Sequence, residues 1–193
     1  QAAESGYAGL LASRAELAIL TGSARQTWEA QQLERSLRFA TVFPEHPQSS
    51  TVLTDAAESY FAAGQMEQAI QVAEQVLERD LTPTPQLQNV AWTVVAHGNF
   101  DLANYSRAEL AYKELRLLGG SEGLAGTELD ERIAASVYRQ AEAAQASGDT
   151  DAAVQNYLRV GVAAPTAIIG ANAVYDAAAL LMSEQRWEQA IDV

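Results

Sequence analysis

His46 and His97 are the side chains best suited to ligate a metal or move a proton near neutral pH, and they are the only two histidines in the 193 residues. His46 lies in the Pro-rich phrase FPEHP at 43–47 and His97 late in a helical stretch. Neither has an HExxH partner or any other ligand spacing around it. The absence of cysteine excludes thiolate metal sites, disulfides and a cysteine nucleophile. GDTD at 148–151 starts like a calcium loop but lacks the glycine and the distal glutamate at the required spacing, so it reads as an inter-helix turn. GGSEGLAG at 119–126 follows no strand and has no lysine after it, so it reads as a loop rather than an anion cradle. NYS at 104–106 matches a glycosylation sequon by chance, because Tyr105 belongs to the repeat frame described below. No Ser–His–Asp or Cys–His set is apparent. The expectation is a protein that is not an enzyme and takes no metal and no cofactor.

The surrounding elements are helices. Hydrophobic residues make up 48% and charged residues 19%, the balance of a folded chain. No apolar run approaches the roughly 20 residues needed to cross a bilayer. Ala, Leu, Gln, Glu and Arg dominate, while Val, Ile and Thr do not gather into alternating runs. Apolar residues recur at three and four, as in Ala69, Val72, Ala73, Val76 and Leu77, or Ala153, Val154, Tyr157 and Leu158. Thr84-Pro85 predicts a helix start, Thr127-x-x-Asp130 resembles a capping box, and Gly64, Gly98, Gly148, Pro44, Pro47, Pro83 and Pro165 mark stops. Net charge is −13 and Lys113 is the only lysine. Such a field repels nucleic acid and anionic lipid and attracts basic partners.

The segment MEQAI at 66–70 returns as WEQAI at 187–191. With it as a ruler, a small residue recurs at Ala69, Ala108, Ala153 and Ala190. The intervals are 39 residues from 69 to 108, 45 from 108 to 153 and 37 from 153 to 190. Gly64 and Gly148 stand five residues before it in two copies, replaced by Ala103 and Gln185 in the others. Ala73, Tyr112 and Tyr157 follow it by four, and Val76, Leu115 and Val160 by seven. The small residue lets paired helices approach, and the larger ones fill the gap to the next pair.

On these positions the chain resembles the tetratricopeptide repeat, a helix–turn–helix unit of about 34 residues. Leu53, Ala56, Ala57, Tyr60, Gly64, Met66, Ala69, Ala73 and Val76 carry the best copy. Every interval exceeds the family's period, and LLGGSEGLAGTELDE at 117–131 accounts for the longest as a Gly-rich loop. The resemblance implies an all-α fold, a right-handed superhelix (solenoid) of antiparallel helix–turn–helix repeats. It divides the chain into an N-terminal helical hairpin at 1–47, a degenerate repeat or cap, and repeats at 48–193 with the last one truncated. An open repeat end needs a cap, so the sequence is expected to be a piece of a longer protein or to form a homo-dimer through that end.

In the family the first helix of each unit lines a concave groove. Carried over, its partner-facing residues are Thr54, Glu58 and Phe61; Thr93, His97, Phe100 and Asp101; Tyr138, Glu142 and Gln145; and Tyr175 and Met182. The set mixes aromatics with Glu58, Asp101 and Glu142 and holds no Lys or Arg, which suits a protein or peptide with apolar anchors and basic residues. FPEHP before a new helix is similar to a phrase in repeat proteins of the bacterial envelope, which implies a periplasmic or outer-membrane-associated scaffold, otherwise a cytoplasmic one. The alternatives are the non-catalytic arm of a larger, cell-wall-acting enzyme and a structural oligomerisation module.

Overall fold

The computed structural model describes residues 1–17, 19–79, 83–119 and 126–193. Among them are ten α-helices and no strand: α1 (Ala2–Leu17), α2 (Gly22–Val42), α3 (Ser49–Ala62), α4 (Met66–Leu77), α5 (Pro85–Asp101), α6 (Tyr105–Leu117), α7 (Thr127–Ala146), α8 (Thr150–Ala163), α9 (Gly170–Ser183) and α10 (Trp187–Asp192). The chain divides into two compact units, 1–94 and 95–193, with the division falling inside α5. The expected boundary at 47/48 is the turn between α2 and α3, inside the first unit.

Four inter-helix turns share one backbone. Residues 64, 103, 148 and 185 have φ of 73°, 59°, 80° and 61°, the left-handed region. The amide of each donates to a carbonyl three residues back: Gly64 to Phe61 (2.9 Å), Ala103 to Phe100 (3.0 Å), Gly148 to Gln145 (3.0 Å) and Gln185 to Met182 (3.1 Å). The next amide donates five back: Gln65 to Tyr60 (2.9 Å), Asn104 to Asn99 (2.8 Å), Asp149 to Ala144 (2.9 Å) and Arg186 to Leu181 (2.9 Å). This pair of bonds is the Schellman motif, which satisfies carbonyls left over at a helix end. Only two of the four sites hold the glycine that this backbone favours. The repeat is therefore preserved in backbone geometry where the side chain has diverged.

In the first unit α1 packs on α2, α2 on α3 and α3 on α4. Leu10, Phe39 and Val52 form one core cluster, with Tyr7 and Phe43 packed against it. The predicted stripe of α4 is buried at Ala69, Val72, Ala73 and Val76, together with Ile70. His46 joins the aromatic cluster, with ring centroids 5.1 Å from Phe39 and 5.5 Å from Tyr7. Its Nδ1 accepts from the Gln48 amide (3.2 Å), and the Ser49 hydroxyl donates to the Phe43 carbonyl (2.5 Å), fixing the FPEHP turn. With its side chain 7% exposed, His46 is a packing residue.

In the second unit α6 packs on α7, α7 on α8, α8 on α9 and α9 on α10. The repeat positions Ala108, Ala153, Tyr112, Tyr157, Leu115 and Val160 are all buried. Alternate helices also touch: α7 reaches α9 through Tyr138 and Asp176, and α6 reaches α8 through Glu109 and Arg159. Side chains of this unit thus join α7 to α9 and α6 to α8.

Two punctuation signals act differently from expectation. Gly98 lies inside α5, which runs on to Asp101. The start of α7 carries no side-chain cap: Gly126 occupies the N-cap position, and Asp130 instead accepts from Arg116 (3.0 Å) and from Thr166. The Gly-rich loop lies largely outside the described residues, which exclude 120–125. By contrast, Thr84 does cap α5, its hydroxyl accepting from the Leu87 amide (3.4 Å). Asp149 of GDTD caps α8 by accepting from the Ala152 amide (3.0 Å).

Candidate functional site

The expected partner-facing residues fall into both units. In the first, Thr54 is buried and its hydroxyl donates to the Ser50 carbonyl (2.9 Å), so α3 uses it internally. Glu58, one turn on, is exposed. Partial burial raises its pKa, and the like charge of Asp55 three residues before it adds to the shift. Phe61 is half-buried at the end of the same helix. Thr93, half-buried on α5, donates its hydroxyl to the Asn89 carbonyl (2.7 Å).

The remaining residues belong to the second unit. His97 is half-buried and shares a 3.0 Å hydrogen bond with the Tyr112 hydroxyl, the two rings standing edge to face. Burial lowers the His97 pKa, and the Arg132 charge adds to this against the weaker pull of Asp101 and Glu128. Burial likewise pushes the Tyr112 hydroxyl up to about 12. Phe100 packs edge-on against Tyr105 at 5.4 Å, and Asp101 is exposed at the end of α5.

On α7, Tyr138, Glu142 and Gln145 lie at spacings of four and three, which puts them on one face of the helix. Tyr138 donates its hydroxyl to the Asp176 carboxylate of α9, and that bond raises its pKa. Its ring stands at 66° to that of Tyr157, with centroids 5.2 Å apart. The Tyr157 hydroxyl donates to Gln145 Oε1 (2.8 Å), and Glu142 accepts from Arg139 (2.7 Å). The Tyr157 pKa is raised by burial first, then by Asp176 and Glu142. Two hydrogen-bonded pairs, Tyr138–Asp176 and Tyr157–Gln145, thus meet through the contact of the two tyrosine rings, with Glu142 nearby. On α9, Tyr175 is 73% exposed and Met182 52%, one face apart by seven residues.

No family model matches the chain, and no curated protein matches it. Among the described residues no group of three His, Asp or Glu could hold a metal ion, and no helix is long and apolar enough to cross a membrane.

Two polar sites escaped the sequence reasoning. Asp176, next to Tyr175, accepts from the Tyr138 hydroxyl. Glu109 on α6 is 4% exposed and accepts from Lys113 (2.6 Å), Arg159 (2.6 Å) and Gln140 (2.8 Å). Burial alone would raise its pKa, but the hydrogen bonds from Arg159, Lys113 and Gln140 overcome that and hold it below the usual carboxylate value. A signal for it was present. The residue after the small repeat position is Ile70, Val154 or Ile191 in the other copies and Glu109 here, a charge in an apolar column.

Proposed function

We propose that the chain is a scaffold of tetratricopeptide-like repeats, wound as a right-handed solenoid, that binds a partner protein or peptide along the face made by the first helix of each repeat. The observation that carries this reading is the face of α7 and α9. Tyr175 and Met182 stand exposed on α9 as apolar anchors, and Glu142 and Asp176 are half-buried on α7 and α9, Asp176 accepting from the Tyr138 hydroxyl. Exposed apolar side chains beside carboxylates suit a partner that offers apolar side chains and basic residues. The net charge of −13 favours the same partners at long range. The envelope remains the compartment we favour, on the FPEHP phrase.

The test is affinity capture from envelope and soluble fractions with the native chain and a Glu58→Lys, Asp101→Lys, Glu142→Lys variant that circular dichroism shows to be folded. A partner retained by the native chain and lost by the variant is expected. Identical captures with both would remove the acidic face as the site.

A second reading has its own observation. Trp187 and Ile191, one turn apart on α10, are 56% and 84% exposed, a surface suited to self-association. Light scattering between 5 and 500 μM (about two decades of concentration, wide enough to cross a micromolar dimer constant) distinguishes a monomer from a dimer.

A further inference from the structure

The first unit holds a groove of about 850 Å³ between α1, α2 and α3. Part of its lining is small and apolar, at Ala30, Ala56, Ala62 and Ala63, which leaves width for a chain of methylenes. Its charged lining is three carboxylates, Glu29, Asp55 and Glu58, against one arginine, Arg14, and Glu29 accepts from Arg25 (2.8 Å). Asp55 is paired with Arg14 across from α1, while Glu58 has no hydrogen bond or ion pair among the described residues. Gln32, on the α2 wall, is 8% exposed. Its Nε2 donates to the Leu10 carbonyl (3.4 Å), and its Oε1 is buried without a partner. Among the side chains lining the groove, that amide oxygen is the buried acceptor left without a donor.

We propose that this groove takes one basic side chain of the partner, its stem along the alanines and its charged head at Glu58 and Gln32. This rests on the partner-binding reading above and names the chemistry one part of that face selects. A carboxylate and an orphan acceptor in a groove whose single arginine is already engaged lack one thing, a positively charged donor. Lysine and arginine supply it together with an apolar stem. A second copy of the chain is the poorer occupant, because its surface carries the same excess of carboxylates.

The experiment is a titration of the ¹⁵N-labelled full chain with the capped pentapeptide AAKAA, followed by amide chemical shifts, with the norleucine peptide as the apolar control. The lysine peptide is expected to move amides of α2 and α3 saturably in the millimolar range. The norleucine peptide should leave them in place. Glu58→Gln, an exposed near-isosteric change that keeps the fold, should weaken the lysine response at least fivefold, and Gln32→Leu should weaken it separately. Equal responses to the two peptides, or a Glu58→Gln chain that binds as the native one does, would overturn the proposal. Shifts confined to α7 and α9 would also overturn it while leaving the partner-binding reading intact. Saturable shifts on α2 and α3 support the groove even if the capture experiment returns no partner.

Discussion

Residues 64, 103, 148 and 185 hold one left-handed turn with three kinds of side chain: Gly, Ala, Gly and Gln. An L-residue there carries a steric cost of roughly 1–2 kcal/mol that glycine avoids, offset in part by the greater freedom glycine brings to the unfolded chain. Nothing lies within 4 Å of a Cβ built at Gly148, so its cost on substitution is conformational. Gly148→Ala should therefore lower stability by about 1 kcal/mol and Ala103→Gly raise it by about 0.5 kcal/mol, read from urea midpoints. His97 makes a second prediction. Its folded pKa lies below the ordinary histidine value, so the unfolded chain binds more protons there. The stability concerned is complete above about pH 6.5 and is lost as pH falls from there toward the folded pKa. Thermal melts from pH 7.5 to 5.5 should show Tm falling, and His97→Gln should flatten that part of the profile. The spacing of three and four placed His97 on α5 but could not say that Tyr112 holds it, because that bond joins two helices.

Between elements, Glu109 ties α6 to α7 through Gln140 and to α8 through Arg159. Removing one partner of a buried ion pair leaves charge without compensation, at about 3–5 kcal/mol for a fully buried pair. Lys113 and Gln140 remain on Glu109 and Arg159 is only partly buried, so Arg159→Met should cost less, about 2 kcal/mol. The folded pKa of Glu109 is depressed, so this stability is present above its ordinary carboxylate pKa and disappears as pH falls through the folded value. Urea titrations of native and Arg159→Met chains at pH 7 and pH 4 check both statements: the gap between them should narrow at the lower pH. Helix starts were legible where the capping group is local, as with Thr84 and Asp149. Thr127 and Asp130 carried the same kind of signal, yet tertiary partners took the carboxylate: Arg116 from α6 and Thr166 from the turn after α8.

At the scale of the molecule, the helical class and the order of buried repeat positions follow from periodicity alone, since Ala69, Ala108 and Ala153 and the residues four and seven beyond them are all buried. Of the residues that the repeat spacing offers for a partner face, Glu58, Asp101, Tyr175 and Met182 are exposed, while Thr54 is buried and its hydroxyl donates to a carbonyl of its own helix. Spacing assigns a residue to a side of a helix. It does not say how deeply the next helix covers that side. If a basic partner is bound electrostatically, raising salt from 50 to 500 mM should weaken capture at least tenfold, as screening shortens the reach of the acidic face.

The most direct measurement is site-specific photo-crosslinking in the source cell. A benzoylphenylalanine replaces Tyr175 on α9 or Val162 at the end of α8, the latter 80% exposed but on the second helix of its pair. The proposal predicts a discrete protein adduct from position 175 and none from 162. Adducts from 162 alone, or equally from both, would contradict a binding face built from the first helices of the repeats.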